Sequence, residues 1–464
     1  MPSTPKETPS SILIIGSGVF GLSTAYALAQ REAFKRTKIT LLERMDFPAP
    51  DAASIDSSRI VRPDYPDPAY AALMAESHKY WRGDFGAEGR YTESGLCLVT
   101  DHPDDSAESA SGNYLVKALE NVKKSLGLKV GRREDGGQVE PLESARAVNR
   151  VMASMGGDCG QSGYVNWTSG WADAEAGMHY MRKLVAATGR VEFRTAEVER
   201  LHYGESKVES VELASGEQLH ADLIILATGA WTPKLIDLRG IASATGQVLA
   251  YIDITQTEQD RFGSNPTLLS ESSGMFIIQP RSRQLKVARH GYGYANFVTI
   301  PHPERPESAG EKITVSLPRT KQDDPNINIP PEGDAACRAY LRKTIPDLAD
   351  RPWTQTRICW YTDTINGDWL IDYHPTYSNL FLTTGGSGHA YKFLPVVGER
   401  IVDIVLGVER DELGASVRRK WRWPEKRGGD DHVWTGDWRG GVKGMVLDEE
   451  LARGGTVEKE KARL

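Results

Sequence analysis

The segment that decides the fold is Ile12-Leu13-Ile14-Ile15-Gly16-Ser17-Gly18-Val19-Phe20-Gly21, near the N-terminus. Its first four residues form a continuous apolar run, which is typical of a strand buried on both faces. A Gly-x-Gly-x-x-Gly turn follows at once, and apolar residues then recur at helical spacing from Leu22. A second strand is predicted over 38–42, ending at the acid Glu43. This order of strand, glycine turn, helix, strand and acid predicts a dinucleotide-binding βαβ unit.

Each part of this unit has a physical task. The first glycine permits the tight turn, the second lets the backbone approach a pyrophosphate, and the third lets helix and strand pack closely. The helix N-terminus offers unpaired N–H groups to the phosphates. Glu43 is placed to accept hydrogen bonds from a ribose hydroxyl, and an acid there favours FAD or NAD over NADP. The alternative is a glycine-rich turn with no ligand.

Two later segments resemble further parts of the same domain. A buried strand is predicted over 222–227, closed by the small-residue turn Thr228-Gly229-Ala230-Trp231. Another is predicted over 380–384, followed by the turn Gly385-Gly386-Ser387-Gly388 and a helical stretch to about Leu406. The cofactor domain is therefore predicted to be discontinuous, with short hairpins or a meander over 193–219.

Composition excludes several classes of protein. The net charge of −7 is spread along 464 residues, so no basic face indicates nucleic acid. The cysteines are far apart and predict neither a disulfide framework nor a metal site: Cys97, Cys159, Cys337 and Cys359. No stretch approaches the roughly 20 apolar residues of a membrane span. We expect a soluble, unsecreted protein that does not bind a membrane.

Four segments, in this order, resemble one family over most of the chain, from Ile12 to Gly407. They are the basic segment Ser57-Ser58-Arg59-Ile60-Val61-Arg62, the strand Gln284-Leu285-Lys286-Val287-Ala288-Arg289-His290, the pair Cys359-Trp360-Tyr361-Thr362-Asp363-Thr364 and Leu370-Ile371-Asp372-Tyr373-His374-Pro375, and the loop Gly386-Ser387-Gly388-His389-Ala390-Tyr391-Lys392-Phe393. They are similar to the covalent flavoprotein amine oxidases, which include monomeric sarcosine oxidase, pipecolate oxidase, saccharopine oxidase and the fructosyl amino acid oxidases.

The resemblance implies a fold of the D-amino-acid oxidase type, α/β in the first domain and α+β in the second. We expect a Rossmann-like FAD-binding domain and a mixed-sheet substrate domain. The former would comprise residues 10–93, 159–235 and 358–407, and the latter 94–158 and 236–357. Residues 408–464, rich in Trp, Arg and Gly, are expected to pack on the body as a tail without activity of its own.

The resemblance also implies that Cys359 bonds covalently to the 8α methyl of the flavin. Taken alone, this residue would be interpreted as a buried core thiol. The other cofactor-binding positions that the resemblance and the glycine motif imply are Gly16, Ser17, Gly18, Val19, Phe20, Gly21, Glu43, Arg44, Ser58, Arg59, Val198, Gly229, Trp231, Gly386, Gly388, His389 and Lys392. Gly386, Gly388 and the helix N-terminus after them would face the edge of the flavin that becomes negative on reduction.

The resemblance implies catalytic roles for five residues. Arg62 and Lys392 match positions that clamp a substrate carboxylate, Arg62 as a two-pronged fork and Lys392 as a point charge. Lys286 matches the lysine that promotes reaction of reduced flavin with dioxygen, by stabilising the negative charge that develops. Tyr361 and His290 match residues that line the substrate pocket and position the amine. Taken alone, each cation would be interpreted as a solvated surface charge.

Two departures from the family pattern narrow the expected substrate. Sarcosine oxidases carry a His where this chain has Ile55, and fructosyl amino acid oxidases carry acids shortly after the Lys286 position, where this chain has Ala288, Arg289 and His290. We therefore expect oxidation of the secondary amine of an N-alkyl or cyclic amino acid by dioxygen, giving an imine and hydrogen peroxide. The imine would hydrolyse to an aldehyde and an amine, or be trapped by a phenol within the substrate. A fructosyl amino acid remains an alternative substrate.

Two rival functions stay open from the sequence: a NAD-dependent dehydrogenase on the same N-terminal fold, and a flavin-bound interaction protein without catalysis. The expected partners are an amino-acid-like small molecule and dioxygen, and we expect a monomer. The final tripeptide Ala462-Arg463-Leu464 resembles the Ser-Lys-Leu peroxisomal signal, which a peroxisomal import receptor would read. We expect peroxisomal localisation on this ground, and otherwise a cytoplasmic one.

Overall fold

Strand β1 (Ser11–Ile15) lies in the middle of a six-stranded sheet, as its apolar run predicts. The structure is a computed structural model and describes residues 8–101, 110–305 and 310–453. The strands are β1, β2 (Lys38–Glu43), β3 (Arg59–Val61), β4 (Tyr91–Thr92), β5 (Leu96–Thr100), β6 (Val139–Leu142), β7 (Ser162–Asn166), β8 (Gly170–Ala172), β9 (Val191–Thr195), β10 (Val198–Tyr203), β11 (Val208–Leu213), β12 (Gln218–Leu219), β13 (Leu223–Leu226), β14 (Ala242–Asp253), β15 (Thr267–Ser270), β16 (Met275–Arg281), β17 (Gln284–Arg289), β18 (Phe297–Pro301), β19 (Lys312–Ser316), β20 (Gln355–Thr364), β21 (Leu370–Tyr373) and β22 (Leu380–Thr384).

The helices are α1 (Val19–Gln30), α2 (Pro68–Trp81), α3 (Ala110–Lys124), α4 (Ala145–Val151), α5 (Ala174–Ala187), α6 (Thr232–Leu235), α7 (Gln256–Phe262), α8 (Pro331–Thr344), α9 (Val397–Leu406) and α10 (Glu412–Trp421). Among the described residues, no helix is both long enough and apolar enough to cross a membrane.

The first sheet has the strand order β21-β22-β13-β1-β2-β9. Strands β22, β13, β1, β2 and β9 run parallel, and β21 is antiparallel to β22. Helices α1, α5 and α9 cover one face with a buried apolar cluster. The meander β10-β11-β12 covers the other face, where Val198, Leu201 and Val211 are buried with Leu13 and Ile224. Parallel sheets require this burial on both faces.

The second sheet has the strand order β20-β14-β17-β16-β15-β5-β7-β6. It is mixed: β15 pairs parallel with β5, and the other neighbours are antiparallel. Its core packs against α8, from which Cys337, Tyr340 and Leu341 are buried. The two sheets establish the two-domain architecture of the D-amino-acid oxidase type, which confirms the predicted fold class.

Two predicted domain boundaries do not coincide with the sheets. Strands β7 and β20 pair in the second sheet, although residues from 159 and from 358 onward were assigned to the cofactor domain. Strand β20 pairs with β14 along its whole length, from Gln355 to Thr364. The apolar pattern of a strand shows that it is buried, but which sheet it joins depends on partners distant in sequence. Cys359 and Tyr361 therefore lie on the second sheet.

The C-terminal part packs closely on the body as far as residue 453. Trp421, at the end of α10, is fully buried and stacks on Trp369 with ring centroids 4.7 Å apart. Arg439 is buried and pairs with Asp363 of β20. Because these contacts reach both sheets, the segment joins the two domains. The tripeptide 462–464 lies outside the described residues.

Candidate functional site

A deep cleft opens where the carboxyl ends of β1, β2 and β13 meet the second sheet. It encloses about 1860 Å³ of empty space, counted out to its open mouth. In open α/β sheets, ligands bind outside the carboxyl ends of the strands. The residues predicted from the sequence that line this cleft are Gly16, Gly18, Val19, Phe20, Glu43, Arg44, Ser58, Arg59, Arg62, Val198, Gly229, Trp231, Lys286, His290, Tyr361, Gly386, Gly388, His389 and Lys392.

The glycine turn is built for close approach of a ligand. Gly16 has a φ of +103°, and a Cβ there would lie 2.5 Å from the carbonyl oxygen of Ala227. A Cβ on Gly21 would lie 1.8 Å from the carbonyl oxygen of Gly16, so this glycine lets α1 pack on the turn. A Cβ on Gly18 would meet nothing within 4 Å, which leaves the cleft side of the turn open. Gly18 is also the N-cap of α1 and provides no side-chain cap, so the first N–H groups of the helix remain free for phosphate oxygens.

Glu43 holds the turn in place from the end of β2. Its carboxylate accepts hydrogen bonds from the Ser17 N–H at 2.9 Å and from the Ser17 hydroxyl at 2.7 Å. Arg44 follows, ion-paired with Asp51 at 2.5 Å, and its guanidinium lies 4.2 Å from the ring centroid of Trp231. Ser17 and Gly21 do not themselves line the cleft; they support it. These features fit the adenosine diphosphate half of a dinucleotide.

Lys286 reaches the cleft from β17 and is only 2% exposed. Its Nζ donates to Asp56 Oδ2 at 2.6 Å and to the carbonyl oxygen of Ser58 at 2.9 Å. Burial lowers the pKa of Lys286 to about 8, and the negative charge of Asp56 limits that decrease. Burial would raise the pKa of the Asp56 carboxyl, but Arg59 and Lys286 hold it well below its usual range. Asp56 is therefore an ionised counter-ion within the site.

Asp56 belongs to no sequence motif that indicates a functional role. It lies within three residues of Arg59, whose guanidinium also pairs with its carboxylate, and the Tyr251 hydroxyl donates to it at 2.7 Å. From sequence alone, a single Asp in a loop is interpreted as a solvent-exposed carboxylate. Only the long-range packing of β17 against this loop reveals its role.

Cys359 is 1% exposed and lies behind the cleft wall rather than on it. Side chains alternate along a strand, so Cys359 shares a face of β20 with Tyr361, which does line the cleft. The Arg59 Nη2 lies 3.5 Å from the Cys359 Sγ, and Phe276, which lines the cleft, packs with the same small cluster. The thiol is thus one side chain away from the open space.

Arg62, which directly follows β3, and Lys392, which lies in the 3₁₀ turn after β22, converge on the ring of Tyr65. Arg62 donates to the Tyr114 hydroxyl at 2.8 Å and to the carbonyl oxygen of Asp64, which leaves three of its five N–H donors for other partners. Lys392 donates to the Tyr65 hydroxyl at 2.8 Å and to the carbonyl oxygen of His389 at 3.2 Å. The Arg62 guanidinium and the Lys392 ammonium lie 5.2 and 5.1 Å from the Tyr65 ring centroid. They form a rigid pair of donors suited to an anion.

Burial, with a smaller contribution from Arg62, holds the pKa of Lys392 well below its ordinary value. An anion bound between these two side chains would restore the charge of Lys392. Binding of an anion would therefore raise the pKa of Lys392, because a nearby negative charge stabilises a buried ammonium.

His290 and Tyr361 lie side by side, with ring centroids 5.8 Å apart. Burial, aided by Arg439 and Arg62, holds the pKa of His290 well below its ordinary value, so the imidazole is neutral. The Trp438 ring lies 5.7 Å from the His290 ring, and Arg439 donates to the carbonyl oxygen of Ser387 at 3.0 Å. The C-terminal segment, which was expected only to pack on the body, therefore contacts residues of the site.

The turn after β22 differs from expectation in one respect. A short 3₁₀ turn over Tyr391–Phe393 follows Gly388, and α9 begins only at Val397. The helix thus does not begin directly at the glycines, because Lys392 and Phe393 are buried in the intervening turn. His389 is held by the Tyr65 hydroxyl at 3.1 Å and the carbonyl oxygen of Gly367 at 3.0 Å. Among the described residues, no three His, Cys, Asp or Glu side chains lie close enough together to hold a metal ion.

The comparisons with known proteins agree with this geometry. The sequence model of the family described as FAD dependent oxidoreductase matches residues 11–404. The chain is 32% identical over 487 residues to the amino acid oxidase imqH of Aspergillus flavus, covering 92% of this chain and 99% of that protein. It is 28% identical to the L-saccharopine oxidase of Schizosaccharomyces pombe, covering 92% and 95% of the two chains.

Among solved structures, the fructosyl peptide oxidase from E. terrenum superposes with a TM-score of 0.79 at 23% identity, covering 96% of this chain and 98% of that one. This likeness concerns the fold alone. The sequence resemblance to flavoprotein amine oxidases is confirmed, which removes the two rival functions of a dehydrogenase using NAD and a non-catalytic flavin protein. The glycine turn, the open face at Gly18 and the acid at Glu43 fit the adenosine part of the family's cofactor, and the chain belongs to the FAD-dependent oxidoreductase family.

Proposed function

We propose that this enzyme oxidises the secondary amine of an N-alkyl or cyclic amino acid with dioxygen, giving an imine and hydrogen peroxide. The observation that carries the proposal is the placement of Arg62 and Lys392 beside a neutral His290 in the same cleft as the buried Lys286. The two relatives compared by sequence are named an amino acid oxidase and an L-saccharopine oxidase. In this chain, Arg62 and Lys392 would form a clamp for the carboxylate of such a substrate.

Each of the chain's own residues has a distinct task in this proposal. Arg62 and Lys392 bind the substrate carboxylate and orient the carbon next to the amine. His290 and Tyr361 position the amine, and the neutral imidazole of His290 can accept a proton from the substrate amine. The bound flavin supplies the acceptor for the hydride equivalent. Burial of the site excludes water until the imine is released.

We further propose that FAD is attached through the Cys359 sulfur. The thiol is buried, lies 3.5 Å from Arg59 Nη2 and shares a strand face with Tyr361. The thiol lies behind the cleft wall that Phe276 and Lys286 line, so a covalent link there would hold the ring near the ammonium. The remaining cofactor positions predicted from the sequence are proposed to bind FAD non-covalently.

The substrate class is tested by a peroxide-coupled screen of sarcosine, pipecolate, saccharopine, fructosyl amino acids and N-methylated aromatic amino acids. We expect peroxide from at least one N-alkyl or cyclic secondary amino acid, and none from the corresponding primary amino acid. Product mass then separates hydrolysis of the imine from trapping by a phenol. A preparation with intact flavin that yields no peroxide with any of them would refute the proposal.

Fructosyl amino acids are the less favoured class. The residue Arg289, at a position near those where the family's fructosyl oxidases carry acids, is ion-paired with Glu332 at 2.6 Å and bonded to the Tyr294 hydroxyl. It faces α8 rather than the cleft.

We propose in addition that the protein is a monomer. We also propose that it is imported into peroxisomes through the C-terminal tripeptide, a location that suits an enzyme that releases peroxide.

The titration of Lys286 gives a pH prediction. The folded pKa of about 8 lies below the ordinary value of 10.5, so the ammonium is present below pH 8 and is lost as the pH rises through 8. We expect the rate of flavin reoxidation by dioxygen to fall about tenfold between pH 7 and pH 9, as the protonated fraction falls from about nine-tenths to about one-tenth.

Stopped-flow reoxidation of photoreduced enzyme at a series of pH values measures this directly. Asp56→Asn is the matched variant: it removes the negative charge that supports the ammonium, so the step should move to lower pH. A rate that stays constant from pH 7 to pH 9 would contradict a role for the charge of Lys286.

A further inference from the structure

Arg439 is a buried cation behind the turn 385–388, and the proposed reaction does not use it. Its side chain is 0% exposed, and it lies beyond residue 404, where the match to the family model ends. Its Nη2 donates to the carbonyl oxygen of Ser387 at 3.0 Å and to Asp363 Oδ1 at 3.2 Å. Because Ser387 lines the cleft, Arg439 reaches the site from a segment outside the family match.

The hydrogen bond from Arg439 fixes the direction of one peptide group in this turn. The peptide bond between Ser387 and Gly388 is trans, so its carbonyl and its N–H point in opposite directions. The Ser387 carbonyl points to Arg439, and the Gly388 N–H therefore points away from it. Gly388 lines the cleft, and its N–H has no hydrogen-bond partner among the described residues.

The turn needs such a restraint because its backbone conformation is uncommon. Ser387 has a φ of +45°, in the left-handed region that residues with a side chain rarely adopt, and Gly388 has a φ of +71°. The Ser387 N–H donates to the carbonyl oxygen of Thr362 at 3.0 Å, which holds one side of the residue. Arg439 holds the other side. Without Arg439 the peptide group is free to turn over, because glycine tolerates both orientations.

The charge of Arg439 strengthens the effect of this orientation. A cation that binds the carbonyl of a peptide group polarises it, which makes the N–H at its other end a stronger donor. Asp363 and Asp437 pair with the same guanidinium and reduce its field at a distance. The effect of Arg439 on the cleft therefore passes mainly through the oriented peptide group.

We propose that Arg439 is a positioning residue for the flavin: it turns the Gly388 N–H towards the edge of the ring that becomes negative on reduction. This inference rests on the part of the proposed function that binds FAD in this cleft with Gly386 and Gly388 beside the flavin. A donor that is already oriented stabilises developing negative charge without reorganisation. Arg439 then makes the flavin a better acceptor of electrons, although it does not touch the flavin itself.

The midpoint potential of the enzyme-bound flavin tests this inference, because its measurement needs neither substrate nor turnover. The flavin-loaded enzyme is reduced anaerobically beside a reference dye of known potential. In Arg439→Met we expect the equilibrium constant for flavin reduction to fall at least about tenfold, because a hydrogen bond to the anionic ring is weakened or lost. For a two-electron couple, a tenfold fall moves the midpoint by about 30 mV to more negative potential.

Arg400→Met is the matched control for the loss of a buried arginine. Arg400 pairs with Glu76 and Asp411, is 8% exposed and does not line the cleft. The potential of this variant should equal that of the wild type.

A double variant separates the hydrogen bond from the charge and guards against misfolding. Arg439→Met leaves the buried Asp363 without its cation, whereas Arg439→Met combined with Asp363→Asn keeps the net charge of the protein. We expect the potential of the double variant to lie below that of the wild type as well, because the Ser387 carbonyl still lacks its donor. A wild-type potential in the double variant, or an equal fall in Arg400→Met, would overturn the inference. The proposed oxidation would stand in that case, and only the peroxide screen with secondary amino acids can refute it.

Discussion

In the Lys286→Met enzyme we expect reoxidation of the reduced flavin by dioxygen to be slower by two to three orders of magnitude than in the wild type. Met has a similar length and no charge, so the substitution removes the ammonium and leaves the volume nearly filled. A preorganised cation in a buried place stabilises developing negative charge far more than one in water does. Reduction of the flavin by substrate should change less than about tenfold, because Lys286 contacts Asp56 and Ser58 rather than the carboxylate clamp.

Lys392→Met is the matched control, since it removes another buried lysine from the same cleft. It should weaken substrate binding and flavin reduction while leaving the reoxidation rate close to that of the wild type. The two half-reactions are measured separately, by anaerobic mixing with substrate and by mixing the reduced enzyme with oxygenated buffer. Equal losses in both half-reactions for Lys286→Met would refute its specific role with oxygen.

The second large effect is expected at Arg62. In Arg62→Ala the binding free energy of the substrate should weaken by about 1.5–3 kcal/mol, because a charge-assisted contact to the carboxylate is lost. This loss corresponds to a rise of roughly 10- to 150-fold in the dissociation constant. The same substitution should leave the affinity for the decarboxylated amine nearly unchanged. The constants come from the substrate dependence of anaerobic flavin reduction.

Arg62→Lys tests the geometry of this contact separately from its charge. Lys keeps the charge and loses the planar fork, so we expect an intermediate loss of affinity. The Tyr114 hydroxyl and the Asp64 carbonyl lose a donor in Arg62→Ala, and the thermal midpoint reports that structural cost. If the wild type binds the amino acid and its decarboxylated amine equally well, the clamp does not exist.

Local patterns predicted the fold of the first βαβ unit. The apolar run before Gly16 and the glycine spacing identify β1, the turn and α1, because their signals lie within a few residues of one another. The acid at Glu43 ends the next strand as predicted, and its carboxylate contacts the turn itself. Short-range geometry is encoded in short-range sequence, and such elements can be located without knowing the rest of the fold.

The substrate half depends on contacts between distant parts of the chain. Asp56 and Lys286 are separated by 230 residues, and no local pattern joins them. Glu271 follows an ordinary strand, and only the completed sheet shows that its carboxylate is buried with no hydrogen-bond partner among the described residues. The clamp and the oxygen-site lysine were predicted from family resemblance, whereas the sequence alone would have treated them as surface charges.

The position of the C-terminal segment also depends on contacts with residues that are distant in sequence. Its Trp and Arg content predicted packing but no position, and the strands that it contacts come from the middle of the chain. Arg439 is fully buried only because Asp363 on β20 and Asp437 balance its charge. The pairing of β20 in the second sheet, which the sequence pattern did not predict, brings Tyr361 to the cleft wall and Cys359 behind it, and it positions the Asp363 that pairs with Arg439.

The intact mass of the denatured wild-type protein tests the central claim most directly, namely that Cys359 tethers the flavin beside Lys286. We predict a mass equal to the polypeptide plus one FAD less two hydrogens, with the addition mapped to the peptide that contains Cys359 and absent from Cys359→Ser. A mass equal to that of the bare polypeptide, in a preparation that still oxidises a secondary amino acid, would contradict the account.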